Sequence, residues 1–318
     1  MELQNVTKIT EFTFTGLEAN STQVPFLFIF FLLVYLITIF GNSGMMALVC
    51  ITPHLQTPMY YFLGSLSMVD LCYSSVITPK MLADLVSRMK SISFIGCALQ
   101  FFFFAAFAGT ESLLLSCMSY DRYVAICHPL HYSSIMTKDK CLWLILVSFS
   151  AGFSQSSVQT QCIFSLEFCR LSQLDHFYCD VPPLLKISCS ETFHCDMVTI
   201  FIICFFGLVS VVNILVSYTL IVSSILRMKS AANRGRAFST CSSHLTCVCI
   251  FYCTVFFIYL RSPSSSFDRQ DKMASVFYTV IISMLNPLIY SLRNQEVKKV
   301  LHRLTTQCFS TINSTSRC

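Results

Sequence analysis

Apolar and polar positions along this chain fall into long blocks rather than the short periods of a soluble fold. Seven apolar blocks reach the roughly 20 residues needed to cross a bilayer: Val24–Cys50, Met59–Pro79, Phe94–Tyr120, Cys141–Gln161, Met197–Leu226, Ala237–Leu260 and Met273–Leu292. Each predicts a helix, since a helix satisfies its own backbone hydrogen bonds where no water is present. Between the first two, Pro53-His-Leu-Gln-Thr-Pro58 is a short polar break bounded by prolines, which interrupt helices. No internal repeat and no second domain is visible. The expected architecture is an all-α membrane protein, a bundle of seven transmembrane helices over 24–292. A polar N-terminal tail precedes it over 1–23, and a C-terminal tail follows over 293–318.

Composition agrees. Only 12% of the 318 residues are charged, against about 25% in a soluble domain. Nothing at the start reads as a cleavable leader, because Glu2, Glu11 and Glu18 outweigh Lys8 there. The first apolar block is therefore expected to act as an uncleaved anchor.

Charge sets the expected orientation, since Lys and Arg collect in cytoplasmic loops. With the N-terminus outside, the inner pieces are Asp121–Lys140, Arg227–Arg236 and Arg293–Cys318, with a net charge of +9. The outer pieces carry −2, and Asp70 and Glu111 inside the spans account for the rest of the formal +5. A basic inner face suits an acidic lipid surface and a cytosolic protein partner; nothing points to nucleic acid. Asn5-Val-Thr7 and Asn20-Ser-Thr22 are glycosylation signals in the outward tail, whereas Asn313-Ser-Thr315 is expected inside and bare.

Of 18 cysteines, Cys162, Cys169, Cys179, Cys189 and Cys195 lie in the outer region before the fifth span, and Cys97 at the outer start of the third. An oxidising compartment favours disulfides over metal binding. Six cysteines allow fifteen pairings, and sequence alone does not choose among them.

Six collinear stretches carry a family resemblance. The most specific is Met118-Ser-Tyr-Asp-Arg-Tyr-Val-Ala-Ile-Cys-His-Pro-Leu-His-Tyr132, where the third apolar block ends, which places Asp121 and Arg122 at the membrane–water boundary. The others are Pro58-Met-Tyr-Tyr-Phe-Leu-Gly-Ser-Leu-Ser-Met-Val-Asp70, His176-Phe-Tyr-Cys-Asp180 with Ile187-Ser-Cys189, Ser217-Tyr218, Arg236-Ala-Phe-Ser-Thr-Cys-Ser-Ser-His244, and Leu285-Asn-Pro-Leu-Ile-Tyr-Ser-Leu-Arg-Asn294. In this order and spacing the chain resembles rhodopsin-like (class A) G-protein-coupled receptors, specifically the olfactory receptors. Tyr252, where most rhodopsin-like receptors carry tryptophan, and a fifth span without proline are what the olfactory branch is like.

The resemblance implies roles. It pairs Cys97 with Cys179 and then Cys169 with Cys189, leaving Cys162 and Cys195 without an assigned role. Arg122, held by Asp121 beside Tyr123, is the expected switch. Tyr218 and Tyr290 would stabilise the open state, Pro287 and Asn286 would mark the break in the seventh helix, and His244 with Arg236 would form the latch on the sixth. Asp70 and Glu111 are mid-membrane acids, where an uncompensated charge costs roughly 3 kcal/mol or more, so function is the default reading. A neutral, hydrogen-bonded pair serving packing is the alternative. The family holds a sodium ion at the matching aspartate, near Asn42 and Asn286, and hard oxygen donors suit Na⁺.

Phe104, Ala105, Ala108 and Ser112, and likewise Tyr252, Val255, Phe256 and Tyr259, recur at helical spacing, which by itself favours helix packing. The resemblance instead places the odorant cavity between these faces, with Ile203, Phe206 and Thr279 contributing and Gly109 leaving room. Phe104 stands where amine receptors carry an aspartate, so the expected ligand is a neutral lipophilic volatile. The expected function is an odorant receptor of the plasma membrane of sensory neurons, activating a stimulatory G protein and raising cyclic AMP. The alternative is a receptor of the same branch for a metabolite outside the olfactory epithelium. A transporter would show inverted repeats or broken helices. An enzyme would need a nucleophile–base pair, and neither pattern is present. The C-terminal tail is expected to form a short amphipathic helix through Val297, Val300, Leu301 and Leu304.

Overall fold

The computed structural model describes residues 10–17, 20–168, 173–259, 268–293 and 297–298. Each predicted apolar block becomes a helical rod, and most rods outrun their blocks. Helices α1 (Val24–Ile51), α2 (Pro58–Val86), α3 (Phe94–Cys127), α4 (Lys138–Phe164), α5 (Phe193–Leu226) and α6 (Ala231–Tyr259) are the first six. The seventh is composite: α7 (Asp268–Val276) passes through a π-helical turn, Phe277–Ile281, into α8 (Ile282–Arg293). Local chemistry fixes the starts. Proline occupies the first turn of α1 and α2, where its missing N–H costs nothing. Ser93 caps α3 by accepting from the Gly96 amide at 3.1 Å, and Thr137 caps α4 by accepting from Lys140 at 3.3 Å.

The bundle is arranged as a bilayer demands. Phe30, Leu33 and Phe40 on α1 and Phe201, Phe205, Leu208 and Val212 on α5 are exposed, while Asn42, Asp70, Ser74, Glu111 and Asn286 are buried. An apolar outside around polar groups that satisfy one another inside is the reverse of a soluble domain.

Helix α3 is the hub, packed against α2, α4 and α5 and more lightly against α6. Its contact with α4 is a close backbone approach. A β-carbon on Gly152 would lie 2.2 Å from Thr110 Oγ1 and 2.7 Å from the Ala106 carbonyl oxygen, so only glycine fits. Gln155 Nε2 donates to the Ala105 carbonyl at 2.8 Å and Ser156 Oγ to the Phe102 carbonyl, closing the same seam.

One end of the bundle is covered by a small sheet. Strand β1 (Glu11–Phe14) lies between β2 (Ser91–Ser93), antiparallel with Glu11 opposite Ser93, and β3 (Gln173–Leu174), parallel with Phe14 opposite Leu174. Residues 10–17 of the expected tail are thus folded. Phe12 is fully buried, with its ring 5.9 Å from that of Phe94 and 5.4 Å from that of Phe168. Beside the sheet, Asp175 Oδ1 binds Lys272 Nζ at 2.5 Å and accepts from Thr15 Oγ1 at 2.7 Å. His176 is buried next to them. Burial, followed by the positive charge of Lys272 and a smaller effect of Lys186, holds its pKa down to about 3 against the opposing pull of Asp175, so its ring is neutral.

Disulfides gather at this end. Cys97 at the start of α3 is bonded to Cys179, as expected. Cys162 in the last turn of α4 is bonded to Cys195 in the first turn of α5, a role the sequence left blank. Cys189 is disulfide-bonded, and Cys169 lies outside the described residues. So do Asn5 and, apart from Val297 and Lys298, the tail helix expected after Arg293. Asn20 is exposed where the chain enters α1.

Candidate functional site

Three sites lie along the axis of the bundle, and α3 contributes to each. Nearest the sheet is a cavity of about 100 Å³. Phe104, Ala105, Ala108, Gly109 and Ser112 of α3 line it, opposite Ile203 and Phe206 of α5 and Tyr252, Val255 and Phe256 of α6. The described members of both periodic stripes therefore face one space. Ser112 Oγ lies 2.8 Å from Tyr252 Oη and 3.3 Å from Ser210 Oγ, which fixes the floor where α3, α5 and α6 meet.

Thr279 does not line this cavity. It is buried with its hydroxyl donating to the Ser275 carbonyl, and Tyr278 faces the space instead. Both residues sit in the π-helical turn, which holds more residues per turn than an α-helix and so presents a different one. The side chain of Tyr259 lies outside the described ones. The room expected at Gly109 is shared: a β-carbon there would meet Gln155 Nε2 at 2.4 Å. Lining residues not foreseen include Phe101, Gln155, Gln159, Val181, Phe251 and Tyr278. Gln155 and Gln159 left a readable signal, two amides at i and i+4 in an apolar block, which share one helix face.

The second site lies deeper. Asn286 Nδ2 is 3.1 Å from both oxygens of Asp70 and 3.3 Å from Glu111 Oε1, joining α2, α3 and α8. Both acids are almost wholly buried, at 1% and 2% exposure, so two carboxyl groups share one amide donor. Asn42 Nδ2 donates to the Thr38 and Ser283 carbonyls, and its buried Oδ1 has no partner among the described residues. The donor set consists of oxygens, which fits a hard monovalent cation better than a transition metal. No group of three or more His, Cys, Asp or Glu side chains suited to a metal occurs among the described residues.

The third site is at the opposite end from the sheet. Helix α3 continues to Cys127, so Asp121 is not at a helix terminus reaching for water but fully buried. Its Oδ2 pairs with Arg122 Nη2 at 3.4 Å, and its Oδ1 accepts from the Tyr132 hydroxyl at 2.8 Å. Tyr123 Oη lies 3.1 Å from His128 Nε2. His244 of α6 joins three helices: Nε2 is 3.1 Å from the Leu115 carbonyl of α3, and Nδ1 is 2.7 Å from Tyr218 Oη of α5. A carbonyl only accepts, so Nε2 carries a proton. Tyr290 is buried, and its hydroxyl has no nitrogen or oxygen partner among the described residues; Pro287 lies inside α8. The side chain of Arg236 is outside the described ones.

A family model described as olfactory receptor matches residues 31–308. Olfactory receptor 5AP2 of Mus musculus is 51% identical over 302 residues, covering 95% of each chain. Olfactory receptor 5B12 of Homo sapiens is 49% identical over 302 residues, covering 95% of this chain and 96% of its own. Among solved structures, squid rhodopsin superposes with a TM-score of 0.69 over 92% of this chain and 88% of that one. At 18% identity that likeness speaks for a common seven-helix fold.

Proposed function

This chain belongs to the olfactory receptor family of rhodopsin-like G-protein-coupled receptors, multi-pass membrane proteins that are receptors and not enzymes, and on that premise we propose how it works. It binds small, neutral, lipophilic odorants in the cavity between α3, α5 and α6 and activates a stimulatory heterotrimeric G protein, raising cyclic AMP. The observation that carries the ligand class is the lining itself, which among the described residues has no acidic or basic side chain. A charged ligand would lose its hydration there without compensation.

The receptor sits in the plasma membrane with the sheet end outside, supported by the excess of Lys and Arg at the other end and the exposure of Asn20. Residues 24–292 form the receptor domain between an outer segment and a cytoplasmic tail. In the resting arrangement Asp121 holds Arg122. Binding favours the state in which the inner ends of α3 and α6 part and Arg122 is freed for the G protein. A ligand needs to bind that state only a few kcal/mol better to shift its population.

The test is cyclic AMP in cells co-expressing a stimulatory olfactory-type G protein, challenged with an odorant panel beside Arg122→Ala, with surface amounts matched. The wild type should respond and the variant should lose at least about nine-tenths of the response. A variant at the surface that signals as well as wild type would sink the switch assignment.

Asp70 and Glu111 hold a sodium ion in this reading, which would offset one of the two negative charges these buried acids can carry. Such a ligand stabilises the folded receptor by mass action. Replacing sodium by choline at constant ionic strength should lower the unfolding midpoint of the purified receptor, and Asp70→Asn should abolish that difference. An unfolding midpoint indifferent to sodium in the wild type would rule the ion out.

A further inference from the structure

One amide side chain in the cavity lining makes no hydrogen bond among the described residues. Three glutamines are buried in α3 and α4, and their amides are used differently. Gln100 is fully engaged: its Nε2 donates to the Val76 carbonyl at 3.2 Å, and its Oε1 accepts from the Cys179 amide at 3.0 Å. Gln155 commits its nitrogen to the Ala105 carbonyl. Gln159 lies one turn further along the same face, is 5% exposed, lines the cavity, and makes no hydrogen bond among the described residues. Its amide is left to water or to a ligand in the cavity, and a ligand that displaces water must replace that hydrogen bond.

The surroundings hold that amide in place. Cys162, three residues after Gln159, is bonded to Cys195, which fastens the outer end of α4 to the outer end of α5. One turn from Cys195, Thr199 carries a buried hydroxyl without a partner among the described residues, outside the cavity lining. On the cavity floor, Ser112 and Tyr252 bind each other. The hydroxyls of the floor thus have each other as partners, whereas the Gln159 amide at the outer end near α4 has none among the described residues.

We infer that Gln159 is the polar anchor of the cavity, donating its amide N–H to the oxygen of a neutral carbonyl ligand, an aliphatic or aromatic ketone, aldehyde or ester. The apolar body of the ligand lies toward Phe104, Phe206 and Phe256. This rests on the proposed reading of the cavity as the odorant site. Size adds a bound. At roughly 10–15 Å³ per water-sized sphere, the space takes about seven to ten heavy atoms. Hydrocarbons of the same shape fill it but leave the amide unbound, and carboxylates bring a charge that nothing in the lining balances. Discrimination comes from the unpaired group left behind by the wrong ligand.

The test separates this from signalling by measuring binding alone, as the ligand-induced rise in unfolding midpoint of the purified full-length receptor in lipid nanodiscs. The probes are pairs that differ by C=O against C=CH₂: 2-heptanone with 2-methyl-1-heptene, acetophenone with α-methylstyrene, and cyclohexanone with methylenecyclohexane. In wild type at least one ketone should act at about tenfold lower concentration than its alkene, the usual effect of one hydrogen bond to a ligand. Gln159→Leu should bring that ratio to about one or invert it, while its ligand-free midpoint stays at or above that of wild type, because no internal hydrogen bond is lost. Gln159→Asn, which keeps a shorter amide, should retain part of the preference.

Three results would overturn the inference: an unchanged ketone preference in Gln159→Leu, a wild type stabilised by no ketone, or a lowered ligand-free midpoint in both variants, which marks a packing role. Binding that obeys Gln159 without any cyclic AMP response would leave this inference standing and remove the proposed coupling.

Discussion

Cys97→Ser is expected to reduce the receptor at the cell surface by about tenfold or more, with the remainder retained inside the cell. The bond to Cys179 joins residues 82 apart in sequence, and closing a loop of that length in the unfolded chain is worth about 4–5 kcal/mol. That is comparable to the whole margin of many folded proteins, roughly 5–15 kcal/mol. The local consequences add to it. Both cysteines are fully buried. The Cys179 amide donates to Gln100, and the next residue, Asp180, caps the short helix Val181–Lys186 and accepts from the Tyr178 hydroxyl at 2.8 Å. Tyr178 packs on Phe104, so loss of the bond reaches the cavity wall. Surface staining against total protein in intact and permeabilised cells measures this. A variant delivered to the surface like wild type would show that the bond is not needed for folding.

The second large effect is in the opposite direction. His244→Ala should raise cyclic AMP in the absence of ligand several-fold per surface receptor. His244 is fully buried and is hydrogen-bonded to α3 through Leu115 and to α5 through Tyr218. Two buried hydrogen bonds are worth about 1 kcal/mol each. Removing about 2 kcal/mol from the closed arrangement alone shifts the closed-to-open ratio roughly thirtyfold at the molecular level. Basal cyclic AMP normalised to surface receptor is the readout. Basal output at or below that of wild type would show that His244 does not hold the inner end of α6 closed.

Much of this was legible in the chain because a bilayer imposes one strong constraint, roughly 20 apolar residues per crossing. All seven rods follow from it. Their ends do not, because a helix continues wherever its backbone bonds can continue: α3 runs through Asp121 and Arg122 to Cys127. Helix α2 carries Asp70, Lys80 and Asp84 and yet is 29 residues long, since the acid and base at 84 and 80 pair with each other. The sheet was the least visible element. Glu11-Phe-Thr-Phe14 alternates as a strand should, but its partners are three and two residues long, too short for any periodic signal. The bond between Cys162 and Cys195 was hidden for a different reason, because it depends on where two helix ends meet in space. Thr279 was misplaced because a π-helical turn leaves no mark in composition. Phe104 and Tyr252 stood in periodic stripes that serve helix packing and cavity lining alike, and only the opposed arrangement of α3 and α6 separates the two.

The seam at Gly152 marks which part of the molecule is fixed in the proposed switch. Thr110 and Ala106 occupy the space a side chain at 152 would need, and Gln155 and Ser156 bond α4 to the α3 backbone alongside. Helices α3 and α4 therefore act as one rigid chassis, with no slack in which to slide. Helix α6 meets α3 through the hydroxyl of Tyr252 and the ring of His244, groups near the cavity floor and near the end opposite the sheet. In the proposed reading, a molecule arriving in the cavity would push against a fixed wall on one side and a lightly tethered lever on the other, and the stroke would be delivered by the lever.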